Sequence, residues 1–132
     1  MPKTEKQTIG KLGEDIACQY LRDSGWKILF RNENVPGGEI DVIARQNQSG
    51  LLAFVEVKTR SGEPHPGFKP EDLYRFHKSK VTQRSCRLFA GFHQNLFSNA
   101  VGWRIDLITI QINKQPVLDY KKDCTIHHYE NV

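Results

Sequence analysis

Two short stretches carry the residues best suited to chemistry: Gly38-Glu39-Ile40-Asp41 and Val55-Glu56-Val57-Lys58. They put an acid on one candidate strand and Glu-x-Lys on the next. Alternate side chains of a strand share a face, so Glu56 and Lys58 point the same way, roughly 7 Å apart along the strand. If the two strands pair as a hairpin, Asp41 comes beside them, and two carboxylates and an ammonium share one sheet face. Clustered carboxylates repel and lose solvation, so such a group needs a cation or a shifted pKa. A hard divalent ion with oxygen ligands, Mg²⁺ or Mn²⁺, suits Asp41 and Glu56. A lysine beside it suits a phosphate oxygen or a metal-bound water.

The trio Asp41, Glu56 and Lys58 resembles the PD-(D/E)xK nuclease motif. Alone that motif is weak, because Lys-Glu alternation is also common on solvated strand faces. Its setting is more telling. Phe54, Val55 and Val57 place the two charges inside an apolar run, where unpaired charge is costly.

The elements that must position these residues follow from the pattern. Thr4-x-x-Gln7 fits a capping box, and Ile9, Leu12, Ile16, Ala17, Tyr20 and Leu21 recur at helical spacing. Ser24-Gly25 stops that helix. Lys27 to Arg31 reads as a short buried strand, and Asn34 to Gly38 as turn material. Glu39 to Ala44 and Leu51 to Thr59 are the next strands, joined by a turn over Gln46 to Gly50. Ser61 to Gly67 is a loop rich in breakers. A helical region is expected from Pro70 to Phe92, then a strand from Trp103 to Ile112, and an edge strand around Ile126 to Tyr129. The order α-β-β-β-α-β predicts an α/β fold with a mixed sheet flanked by helices, the core order of restriction-endonuclease-like proteins.

Composition sets the bounds. The 132 residues suit a single domain, 1–132, large enough for one core. The net charge of +4 favours an anionic partner such as nucleic acid. Cys18, Cys86 and Cys124 are widely spaced and odd in number, without metal-binding spacing, and read as reduced thiols of a cytoplasmic protein. His127-His128 reads as a strand or tail pair. No apolar stretch is long enough to span a bilayer, and the N-terminus has no signal-peptide core. No membrane partner is therefore expected, and a homodimer is left open.

Further motifs then appear in order: Gly10-x-x-Gly13-Glu14-x-x-Ala17, Gly25-Trp26-x-Ile28-Leu29-x-Arg31-Asn32, Gly38 to Ala44, and Phe54 to Arg60. Together they resemble the YraN-like family of small bacterial proteins, predicted endonucleases related to archaeal Holliday-junction resolvases. The likeness covers residues 9 to 110, and Lys78 and Arg104-x-Asp106 match it too. Ser85-Cys86 departs from the family's small alanine pair. The resemblance implies a metal-dependent endonuclease in which Asp41 and Glu56 bind Mg²⁺ or Mn²⁺. Lys58 would then orient the attacking water and stabilise charge on the phosphoryl group. Glu14 would complete the catalytic set from the first helix.

Other residues keep two readings. Glu39 either tunes the metal or merely flanks it. Arg60 either contacts substrate phosphate or pairs structurally, and Arg104 and Asp106 read as a structural ion pair. Arg75, Lys78, Lys80, Arg84 and Arg87 form either a phosphate-binding wall or a solvated helix face, with Lys78 favoured as a nucleic-acid contact. Phe68, Tyr74 and Phe76 suit core packing better than base stacking. DNA, branched DNA by family relation, is the expected substrate. The alternative is a non-catalytic nucleic-acid-binding or scaffold protein that keeps the nuclease fold.

Overall fold

A computed structural model of the chain describes residues 4–35, 38–62, 80–95 and 102–132. Helix α1 spans Glu5–Asp23 and opens on the capping box: the Thr4 hydroxyl accepts from Gln7 N–H and the Gln7 side chain accepts from Thr4 N–H. It ends at Ser24, and Gly25 then adopts φ +91°, a left-handed turn that a residue with a Cβ enters at a cost. Strands β1 (Trp26–Val35), β2 (Gly38–Gln46) and β3 (Leu52–Ser61) follow, then α2 (Lys80–Phe92), β4 (Trp103–Ile112), a short α3 (Tyr120–Asp123) and β5 (Cys124–Tyr129).

The five strands form one sheet in the order β1-β2-β3-β4-β5. The first three make an antiparallel meander, β4 runs parallel to β3, and β5 closes the edge antiparallel to β4. This mixed sheet between helices has the restriction-endonuclease-like architecture. Alternation along the strands splits the core in two. Val42, Ala44, Ala53, Val55, Val57, Ile108 and Ile110 pack with Ile16, Ala17, Cys18 and Leu21 of α1. On the other face Ile43, Phe54 and Ile105 pack with Cys86 and Phe89 of α2. The thiols of Cys18, Cys86 and Cys124 are all free and buried.

At one end of this sheet the expected ion pair of Arg104 and Asp106 belongs to a larger network. Asp106 is fully buried. It accepts from Arg104 Nε at 2.8 Å and Nη2 at 3.1 Å, from Asn131 N–H at 3.0 Å, and contacts His128 Nε2 at 2.7 Å. His128 Nδ1 in turn meets the Tyr20 hydroxyl at 3.1 Å. One carboxylate thus ties α1, β4 and β5 together, with every charge partnered. Burial alone would raise the Asp106 carboxyl; the bonds from His128, Asn131 N–H and Arg104 outweigh it and hold it below its ordinary value.

Several boundaries differ from expectation. β1 runs on to Val35, through residues that read as turn; this edge strand gives Trp26 and Ile28 to the α1-side core and Phe30 and Val35 to the α2-side core, and it is only partly buried because Lys27, Asn32 and Asn34 stay exposed between them. β5 begins at Cys124, two residues before the expected start. The α3 turn that precedes it is held by the Asp119 side chain capping Lys121 N–H, a local bond no periodicity announces. The described part of the second long helix is Lys80–Phe92. Its expected start at Pro70, the preceding loop, Phe68, Tyr74, Arg75, Phe76 and Lys78 lie outside the described residues.

Candidate active site

The site forms where β2 and β3 part. Their pairing ends at Val42 opposite Val55. Asp41, the next residue outward, fills the opening: its Oδ2 accepts from Val57 N–H at 2.9 Å, a donor the ladder leaves over. Glu56 and Lys58 alternate with Val55 and Val57, which enter the α1-side core, so the two charges leave that core and open onto a cleft. Lys58 Nζ lies 3.0 Å from Glu56 Oε1.

Glu14 comes from α1, and Gly13 determines how near it can come. A Cβ on Gly13 would collide with Thr59 Oγ1, so only glycine lets the helix sit this close to β3. The carboxylates of Glu14, Glu39 and Asp41 each offer an oxygen within 4.8 Å of the others. Glu39, whose role the sequence leaves open, therefore belongs to the same acidic group as Asp41. Glu56 lies outside this trio, and its charge adds to the upward shift that burial imposes on Asp41.

The backbone explains this grouping. Arg31 and Glu33 lie opposite Val42 and Ile40, so Asn32 lies across from Asp41. Asn32 has φ +53°, in the left-handed region. There the strand's alternation slips: Ile40 and Ile43 both join the α2-side core, while Val42 joins the α1 side. The slip turns Asp41 and Glu39 toward Glu14. Arg31 Nη2 pairs with Asp15 Oδ1 at 2.7 Å and reaches Glu14 Oε2 at 3.8 Å. The sequence places Arg31 and Asn32 in a motif but gives neither a task.

A cleft of about 820 Å³ opens over Glu14 and Asp41 of this group, walled by Lys6, Ile9 and Gly10 of α1 and by Thr59, Arg60 and Ser61 of β3. Glu14, Asp41, Glu56, Lys58 and Arg60 all line it. Arg84 and Arg87 are exposed on α2 and do not line it. Burial pushes the Asp41 carboxyl up to about 6; the charges of Glu14 and Glu56 add to this, while the Val57 N–H and Lys58 oppose it. Burial also raises Glu14, against the pull of Asn32 and Arg31. Acids strained in this way beside one another are what a cation relieves.

The model of the uncharacterised protein family UPF0102 matches residues 13–110. The chain is a member of this family. A UPF0102 protein of Trichormus variabilis is 55% identical over 108 residues, covering 79% of this chain and 70% of that protein. One from Nocardia farcinica is 35% identical over 121 residues, 89% of each chain. Another, from Syntrophotalea carbinolica, is 51% identical over 85 residues, 64% of this chain and 66% of that protein. The UPF0102 match spans Glu14, Asp41, Glu56, Lys58 and Arg60, and it stops short of β5. No described helix is long and apolar enough to cross a membrane.

Proposed function

We propose that this protein is a metal-dependent nuclease that hydrolyses phosphodiester bonds in DNA, with branched or otherwise structured DNA as its substrate class. The observation that carries this reading is the convergence of Glu14, Asp41, Glu56 and Lys58 on one cleft from three separate elements. The donor set suits a hard ion: carboxylate oxygens only, with those of Glu14, Glu39 and Asp41 mutually within 4.8 Å and Glu56 lining the same cleft as Glu14 and Asp41. Asp41 and Glu56 would hold Mg²⁺ or Mn²⁺, with Glu14 beside them, and the bound ion would supply Lewis-acid stabilisation of the phosphoryl oxygens. Lys58 orients the attacking water and offsets charge growing on the phosphoryl group, while Glu56 holds its ammonium in place. Arg60, exposed at the cleft wall, takes a flanking phosphate. Lys78 is assigned the same task from the sequence alone. The net charge of +4 assists an anionic substrate.

The test is incubation of purified protein with linear, single-stranded, flapped and four-way DNA in EDTA, Mg²⁺ or Mn²⁺. Cleavage that requires the metal supports the reading. DNA binding without cleavage under every condition would favour the non-catalytic module on the same fold.

A further inference from the structure

We propose that Asn32 is a positioning residue of this site: its side-chain amide clamps Glu14 of α1 to Glu39 of β2 and so sets the acidic group that receives the cation. The inference rests on the metal-site reading above. Only carboxylate oxygens face the amide from these two residues, so its nitrogen points at them. In that orientation it donates to Glu39 Oε1 at 3.0 Å and to Glu14 Oε2 at 3.0 Å and Oε1 at 3.2 Å. One amino group with two hydrogens thereby bridges two like charges from separate elements.

The backbone supplies an independent argument. In a regular strand the side chains of Arg31 and Asn32 would point to opposite faces. Both reach Glu14, Arg31 Nη2 at 3.8 Å and Asn32 at 3.0 Å. That is possible because Asn32 sits at φ +53°. Among residues with a Cβ, asparagine and aspartate tolerate this region best. Aspartate here would add a fourth negative charge, and glycine would carry no donor. Asparagine alone of the three combines the conformation with N–H groups aimed at carboxylates. Such partners fix the direction in which a ligating oxygen points, and their loss weakens metal binding without removing a ligand.

Asn32→Gly keeps the left-handed backbone and removes only the amide. Calorimetry with Mn²⁺ should show affinity lowered about 10- to 100-fold. The circular dichroism spectrum and the melting temperature in EDTA should stay near the parent's. A second readout needs no metal: the Asn32 side-chain amide signals in ¹H–¹⁵N spectra of the parent should move in both Glu14→Ala and Glu39→Ala. Equal Mn²⁺ affinity in parent and Asn32→Gly, or amide signals indifferent to both glutamates, overturns the clamp while leaving the metal site standing. A parent that binds no Mn²⁺ at all overturns the site reading and this inference together, and so the two failures are distinct.

Discussion

Lys58 Nζ lies 3.0 Å from Glu56 and carries no oxygen to give a cation, so the proposed function assigns it to the reaction rather than to metal binding. Lys58→Ala should leave Mn²⁺ affinity within a few-fold of the parent and lower the cleavage rate by about 10²-fold or more, measured under single turnover. Asp41 makes a different prediction. Its carboxyl titrates at about 6 in the fold, against an ordinary value of 3.8. A raised carboxyl favours the folded state below the ordinary value, and that contribution is lost as pH rises through about 6. Asp41→Asn, whose side-chain oxygen can still accept from Val57 N–H, should therefore melt higher than the parent at pH 8 in EDTA. The gain should be about 1–2 kcal/mol, below the full linkage value because the side chain keeps some access to water at the cleft, and should vanish near pH 4. With Mn²⁺ in excess the order should reverse, because only the parent gains stability from the ion. The set Glu14, Asp41, Glu56 and Lys58 was legible in the sequence through motif and resemblance. Glu39 was legible as a neighbour of Asp41 on one strand face, with its role left open. The part of Asn32 was not legible, because it depends on a left-handed residue, and period-2 reading assumes regular strand conformation.

At the scale of elements, sheet and helices were readable because each carries its own pattern: helical spacing in α1 and apolar runs bounded by turn residues in β2, β3 and β4. What failed were ends. β1 was cut short because Asn34 and Val35 look like turn residues, yet an edge strand tolerates an exposed polar side chain such as Asn34, and Val35 packs against the α2-side core. The C-terminal strand was expected from Ile126 and starts at Cys124, and its anchor, a tertiary one, was not legible. His128 and Asn131 N–H both bind Asp106, far away in sequence. That anchor is testable. Asp106→Asn leaves Arg104 and His128 facing a neutral partner in a buried position and should destabilise the protein by about 3 kcal/mol in urea unfolding at pH 7. A carboxyl held below its ordinary value contributes stability above that value, lost as pH falls through the lowered one. The parent's advantage over the variant should therefore shrink only below about pH 4.

At the scale of the whole molecule, a net charge of +4 and a cleft with Arg60 on its wall predict salt-sensitive binding to nucleic acid. In Ca²⁺, which supports little cleavage, DNA affinity should fall steeply with salt. Arg60→Ala should lower affinity on all sequences alike and reduce the slope of log affinity against log salt by about one. An unaltered slope would return Arg60 to a solvated edge. The proposed function comes down to one claim, that the acids beside Lys58 support phosphodiester hydrolysis with a divalent metal. The most direct measurement is cleavage of a labelled four-way DNA junction by the parent and by Glu56→Gln purified in parallel, each in Mn²⁺ and in EDTA. The account predicts cut strands for the parent in Mn²⁺ alone, and intact DNA for Glu56→Gln in both. Intact DNA in every lane, or equal cutting by both proteins, would contradict it.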